Sequence, residues 1–395
     1  MSAWMRLQWN RRFARRRGGP LRLDDPAAWR ESLGLALVHA AGPVVLAIGT
    51  GLVLAALAVR LLGASPAGFF AVLFRGTFAS PYGFSQVLFK ATPLLFTGLA
   101  VAVAFQARLF NIGAEGQMVV GGFAMAWVGF EGPALPWPVG LLVALAAGAA
   151  AGALWGLLPG LLKARTGGSE VIATIMLNFI AFALANWLLV SRYALPETVR
   201  TPEVHPGAWI FRFSDAVGAL KGSPLNAALL LGILLAVALH ILFTQTPFGF
   251  SLRVLGTGMP QARYAGLPVA RLTVYALTLS GAVAGLAGSS FILGYKHYYE
   301  GEFSSGAGFT GIAVALLARN RPLFIIPSAI FFGLLSYGGL VVNGIVPREL
   351  LDVLQAVILL LFIVYDRALE RLARRRPRVP EPPGEMDRAA QAEAS

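Results

Sequence analysis

The stretch GAAAGALWGLLPG, residues 148–160, sets a glycine at every fourth position: Gly148, Gly152, Gly156 and Gly160. Four residues is close to one helical turn, so these glycines form a nearly continuous bare ridge on one helix face. Such a ridge lets a neighbouring backbone approach closely. That device belongs to helices in lipid, where apolar area alone gives helices no reason to associate. The surrounding run, about 138–162, is apolar and long enough to cross a hydrocarbon core of roughly 30 Å. Gly281, Gly285 and Ser289 repeat the spacing in a later run.

Composition says the same of the whole chain. Of 395 residues, 57% are hydrophobic and 13% charged, with mean hydropathy +0.69, against about 25% charged in soluble domains. Apolar runs lie near 39–62, 87–106, 111–130, 138–162, 171–190, 226–244, 272–293, 308–318, 323–342 and 349–365. The expected fold is all-α and polytopic, with about ten transmembrane helices. The eighth run is short for a full crossing and reads as tilted, broken or re-entrant. The first is too long for a signal-peptide core and has no clear cleavage site, so it reads as an uncleaved span. Thr97–Ala102 (TGLAVA) resembles Ser280–Gly285 (SGAVAG) five spans later. Five spans apart means opposite directions across the bilayer, as in the inverted repeats of many transporters.

The net charge of +13 is concentrated at the two ends, in Arg11, Arg12, Arg15, Arg16 and Arg17, and in Arg367, Arg371, Arg374, Arg375, Arg376 and Arg378. Basic tails flanking membrane spans mark the cytoplasmic side and meet anionic lipid; no base-reading module supports nucleic acid as a partner. The expected organisation is a basic cytoplasmic arm (1–34), a transmembrane domain (35–366) and a basic, then Pro-rich and disordered tail (367–395). The arm carries Trp4, Trp9 and Phe13, which suit an interfacial helix. With ten crossings both termini are cytoplasmic, and the loops holding Arg108, Lys163, Arg165, Arg253, Arg263, Arg319 and Arg321 lie inside. The segment 191–225 resists, since it falls outside yet carries Arg192, Arg200, Arg212 and Lys221, partly offset by Glu197, Glu203 and Asp215.

Several chemistries are absent from the sequence. It has no cysteine, no P-loop pattern and no H-E-x-x-H, and nothing pairs a nucleophile with a base. No catalytic residue, metal site or cofactor is assigned to this chain. If it pumps, it borrows its energy or uses an ion gradient.

Two polar groups stand out within the apolar runs. LFNIGAEGQ, residues 109–117, places Asn111, Glu115 and Gln117 at the head of a helix. Asn111 suits an N-cap and Glu115 a first-turn acid facing the positive helix end; the alternative is that they line a transport pathway. In GGSEVIATIMLN, residues 167–178, Glu170, Thr174 and Asn178 are spaced by four and share one face, which should meet protein or water rather than lipid. Interhelical hydrogen bonding and pathway lining both remain open there. The basic loop Thr246–Arg271, broken by Gly256, Gly258 and Pro260, leaves room for a short surface helix over Pro260–Ala265, a natural handle for a partner protein.

FNIGAEGQ, GSEVIATIMLNFIA, GTGMPQARYAGL and GFTGIAVALLARNRP, in this order, resemble the membrane permease of an ABC importer of the branched-chain amino acid and monosaccharide superfamily. The first two motifs are most similar to nucleoside-type permeases that serve basic-membrane-protein-type binding lipoproteins. The resemblance covers about residues 35–365. It implies a bacterial inner-membrane permease that works by alternating access. Its implied partners are a second, shorter permease paralogue, an ATPase with two fused nucleotide-binding domains that carries ATP and magnesium, and an external binding lipoprotein. Gln117 matches the longer permease of such pairs. The family's coupling segment falls on Gly256–Leu267, with Gly256, Pro260, Arg263, Tyr264 and Gly266 as candidate ATPase contacts, although Gly258 stands where the family usually has asparagine. The candidate substrate pathway is Asn111, Glu115, Gln117, Thr174 and Asn178. Sugars, riboflavin and branched-chain amino acids are alternative cargoes. The rival mechanism is a proton- or sodium-coupled carrier with Glu115 as the titrating group.

Overall fold

The computed structural model describes residues 26–375. Among them the chain is helical, with no strand beyond isolated bridges joining Arg200 to Glu300 and Arg212 to Asn226. The helices are α1 (Pro26–Leu61), α2 (Pro66–Phe78), α3 (Pro81–Gln106), α4 (Ala114–Glu131), α5 (Val139–Thr166), α6 (Glu170–Leu188, prolonged by a π turn to Tyr193) and α7 (Ala228–Gln245). There follow α8 (Pro247–Thr257), α9 (Met259–Tyr264), α10 (Val269–Gly285, continued in irregular turns to Lys296), α11 (Ala307–Leu317), α12 (Pro322–Val342) and α13 (Glu349–Arg375). The Arg-rich blocks up to Arg17 and beyond Arg375, and Trp4, Trp9 and Phe13, lie outside the described residues. The arm and tail boundaries both fall inside helices, α1 and α13. Two compact units emerge: Leu54–Leu359, and a smaller one from the chain before and after it. Within the smaller unit Thr50 Oγ1 and Tyr365 Oη share a 3.0 Å hydrogen bond.

Among the described residues seven helices are long and apolar enough to cross a bilayer. They fall at seven of the ten expected runs; α4, α11 and α13 occupy the other three. α4 has Glu115 and Gln117 near its head and ends at Glu131. α11 has only 11 residues, about 16 Å of helix and half a bilayer. A helix the apolar runs do not foresee is α2, started by Ser65, whose hydroxyl accepts from Gly68 N at 3.3 Å.

At the centre of the larger unit are α3 and α10, buried along most of their length, while α5, α6 and α7 leave most of theirs uncovered. The two run antiparallel. Phe89 meets Tyr295 with ring centroids 5.3 Å apart, and Ser280 Oγ donates to Ala100 O at 2.6 Å, so numbers rise along one helix as they fall along the other. The two look-alike stretches, 97–102 and 280–285, thus touch each other. α3 packs most extensively on α12, and α10 on α5. Each central helix is held by the outer helix of the opposite half, an inverted-repeat-like core.

The α5–α10 contact explains the opening glycines. A Cβ on Gly152 would stand 2.3 Å from Gly281 O, one on Gly156 2.4 Å from Leu277 O, and one on Gly285 2.3 Å from Gly148 O. Backbone lies on backbone, so not even a methyl fits. Gly152→Ala is expected to cost about 1–3 kcal/mol by overpacking, seen as a lower thermal midpoint in detergent. Gly218→Ala, where a Cβ meets nothing within 4 Å, should leave the midpoint unchanged.

Candidate transport and coupling sites

The five candidate pathway residues are all buried: Asn111, Glu115, Gln117, Thr174 and Asn178 are each at most 2% exposed. Every one has partners inside the chain. Asn111 Nδ2 donates to Gln117 Oε1 (2.8 Å) and to Ser280 Oγ (2.7 Å), while Asn111 Oδ1 accepts from Gly113 N (3.0 Å). Asn178 reaches across from α6, accepting from Gly116 N (2.9 Å) and donating to Ile112 O (3.0 Å). Thr174 bonds back to Glu170 O at 2.8 Å and packs beneath Gly113. Asn111 and Asn178 thereby satisfy Gly113 N and Ile112 O at the inner end of the irregular turn 107–113, which would otherwise be unpaired at depth. Ser280, eleven residues into α10, stands about 16 Å along it, so the turn carries the chain into the bundle before α4 begins. The helix starts at Ala114 with Gly113 at its N-cap. Asn111 braces that start from outside instead of capping it.

Glu115 is a first-turn acid, but its carboxylate serves another helix. Oε1 accepts from Gly306 N at 3.0 Å and Oε2 from Gly308 N, the opening amides of α11. A Cβ on Gly308 would stand 2.3 Å from Glu115 N, so the two helix starts abut. Thr97 Oγ1 donates to Ala307 O at 3.0 Å and anchors the same point to α3. The starts of α4 and the half-length α11 therefore meet N-terminus to N-terminus inside the bundle, with one carboxylate between their positive ends. Gly306, Gly308, Thr97 and Ser280 are absent from the sequence-based candidates, since small residues in a greasy run carry no individual signal.

Glu170 lies at the edge of this network, joined to it through Thr174 and the Phe110 backbone. Its carboxylate pairs with Lys163 Nζ at 2.9 Å and ties the end of α5 to the start of α6. The charged side of the face containing Thr174 and Asn178 is thus a loop staple.

The basic loop Thr246–Arg271 forms two helices. α8 rests on the bundle through buried Leu252 and Leu255, and α9 through Ala262. Gly256 lies on the end of α3, where a Cβ would be 2.3 Å from Gln106 O. Gly258, at φ +154° and ψ 148°, adopts a backbone open essentially to glycine alone, which fits glycine in place of asparagine there. Pro260, Arg263, Tyr264 and Gly266 all face outward, and Tyr264 is 94% exposed. Arg253 instead turns inward and donates to Phe243 O at the end of α7.

At the opposite end, 194–227 folds over the bundle. His205 N donates to Gly129 O (2.9 Å), Thr201 N to Tyr299 O (2.9 Å) and Ile210 N to Leu293 O (2.9 Å). Arg212 donates to the carbonyls of Gly294 and Tyr295 and to His297 Nε2, while Trp209 stacks on the imidazole at 4.0 Å. Burial, and then the Arg212 guanidinium, push the pKa of His297 from 6.5 down to about 4.

Two predictions follow from these contacts. Asn178→Leu removes both hydrogen bonds and strands Gly116 N and Ile112 O, so folded yield should drop along with transport, by about 2–5 kcal/mol of stability; normal yield with lost transport would contradict this. His297 stays neutral in the folded protein down to about pH 4 and titrates near 6.5 when unfolded. Unfolding therefore takes up a proton between those values, and stability falls as pH drops through that window. His297→Asn, which tolerates the left-handed backbone at φ 63°, should show a shallower fall in thermal midpoint between pH 7 and pH 5.

Apolar helices bundled around two abutting helix starts, with a pair of short helices laid on one end, define a polytopic membrane transport protein. The chain belongs to the family described as the branched-chain amino acid transport system permease component, which matches residues 83–363. It is 38% identical over 331 residues to the guanosine ABC transporter permease protein NupP of Bacillus subtilis, covering 82% of this chain and 93% of NupP. It is 31% identical over 327 residues to the nucleoside ABC transporter permease protein NupB of Lactococcus lactis, covering 81% and 90%. The glucose ABC transporter permease protein TsgB13 of Haloferax volcanii is 33% identical over 350 residues, covering 82% and 89%. The first two bacteria each have a second, more distant match, NupQ and NupC, whose names also give guanosine and nucleoside permeases.

Proposed function

We propose that this chain is the membrane-spanning permease subunit of an ATP-driven importer for nucleosides. The observation that carries the substrate is its 38% identity to a guanosine permease along nearly the whole of that relative. An uncharged, acceptor-rich solute also suits a chain whose interior polar groups are mostly amides and hydroxyls. Transport proceeds by alternating access. The network of Asn111, Glu115, Gln117, Thr174 and Asn178 fixes the starts of α4 and α11 that flank the path, and ATP and magnesium act on a partner ATPase.

Sidedness follows from charge. The end with Arg108, Lys163, Arg165, Arg253, Arg263, Arg319 and Arg321 faces the cytoplasm, together with α8, α9 and both termini. There Pro260, Arg263 and Tyr264 offer a projecting aromatic and a cation to the ATPase, with Gly256 and Gly266 shaping the segment. Gly256 against Gln106 O, and Gln106 Nε2 donating to Asn320 O at 3.1 Å, join the docking helices to α3 and to the turn after α11. A binding lipoprotein rests on 194–227 and hands over the solute. The second subunit is a different permease, by analogy with the NupP/NupQ and NupB/NupC pairs.

Arg263→Glu combined with Tyr264→Ala should abolish copurification of the ATPase and leave membrane insertion intact; undiminished copurification overturns the docking assignment. In vesicles carrying the whole transporter, guanosine uptake should require ATP and ignore an uncoupler, and excess unlabelled guanosine should compete where glucose does not. Uptake that collapses with the uncoupler and persists without ATP establishes an ion-coupled carrier instead.

A further inference from the structure

Lys90 is the one basic residue inside α3, a span otherwise buried against its neighbours. It lies nine residues from Pro81, about 13 Å along the helix. Among the described residues it has no ion pair and no hydrogen bond. An ammonium at that depth is costly in hydrocarbon, and such groups face a bundle interior or a water-filled cavity. Its neighbours on the same face are polar as well. Tyr82, Gln86 and Lys90 are spaced by four and fall within an arc of about 80°. Gln86 Nε2 donates to Tyr82 Oη at 2.7 Å. None of the three is buried, whereas Gly83, Ser85, Val87, Phe89 and Ala91 between them are. Tyr337 on α12 lies within electrostatic range of Tyr82 and adds another hydroxyl. This polar face is separate from the Asn111–Asn178 network, whose donors and acceptors are already taken up inside the chain.

We propose that Tyr82, Gln86 and Lys90 line the water-filled outer part of the transport path and offer hydrogen-bond donors to the carbonyl and hydroxyl oxygens of an uncharged solute. This rests on the permease reading and on the sidedness given above. An ammonium, an amide and a phenol exchange bonds readily with a passing nucleoside or similar solute and carry no carboxylate to hold a cation in its place. The unpaired charge is stabilised by water in the path, so no protein partner is required.

The absence of cysteine from the sequence makes any introduced thiol the only one on this chain, so labelling is read on this chain after the subunits are separated. In proteoliposomes carrying the complete transporter, a membrane-impermeant thiol reagent applied outside should modify Gln86→Cys and Lys90→Cys. Val87→Cys, at a fully buried position, should stay unmodified, and Ala79→Cys, at the exposed helix end, serves as the accessible reference. Adding solute should slow modification of Lys90→Cys. Lys90→Met should lower uptake roughly tenfold, the worth of one hydrogen bond to a charged group, while Lys90→Arg retains most of it. If the unmodified transporter fails to import with ATP, the function proposed above falls and takes this assignment with it. If import is normal but Lys90→Cys is unreactive, or Lys90→Met transports as well as the native chain, this assignment alone is overturned.

Discussion

A carboxylate between two helix N-termini is the constraint around which the larger unit is arranged. The unsatisfied amides at the starts of α4 and α11 both point into a region without bulk water. Left bare, each would cost as much as any buried unpaired donor. Glu115 sits in the first turn of α4, near its positive end, and accepts from the first amides of α11, while Asn178 takes Gly116 N of α4. The turns before each helix are then held from the sides by Asn111, Gln117 and Asn178, and by Thr97. Without the carboxylate, α11 would begin inside the bundle with its first amides bare.

The central pair α3 and α10 frames this meeting point, and each is covered by the outer helix of the opposite half. The halves are therefore interleaved. A displacement of one half must pass through backbone contacts with the other, whether at the α5–α10 seam or where Ser280 bonds Ala100. The docking helices reach the same system at Gln106, which touches both Gly256 and Asn320. An ATPase docked as proposed on α8 and α9 would thus have a short, packed route to both α3 and α11.

Much of this was legible in the residues. Composition and apolar runs give the fold class, and the four-residue glycine spacing gives a seam and its tightness. The identity of the seam's partner was not legible, because Gly281 and Gly285 lie far along the chain and only the folded topology brings them opposite. The surface helix was placed to within a residue at α9, but α8 read as loop. Its glycines and arginine hide an amphipathic turn that becomes stable only with Leu252 and Leu255 against the bundle. The polar residues Asn111, Glu115, Gln117, Thr174 and Asn178 were found by type and place. Their partners are backbone amides and carbonyls, and a sequence does not show which of those a break in a helix leaves open. Lys90 went unnoticed because a single charge barely alters the hydropathy of a run of that length.

The α5–α10 seam also differs from a leucine-packed joint in its thermodynamics. Apart from Leu277 at one end, the contact is glycine backbone, so little rotamer entropy is lost when it closes. Its cohesion comes from dispersion and close Cα–H···O contacts, not from release of water. A joint of that kind owes little to the solvent around it. It should hold as firmly in a detergent micelle as in a bilayer, leaving the helices joined by longer side chains to give way first on extraction.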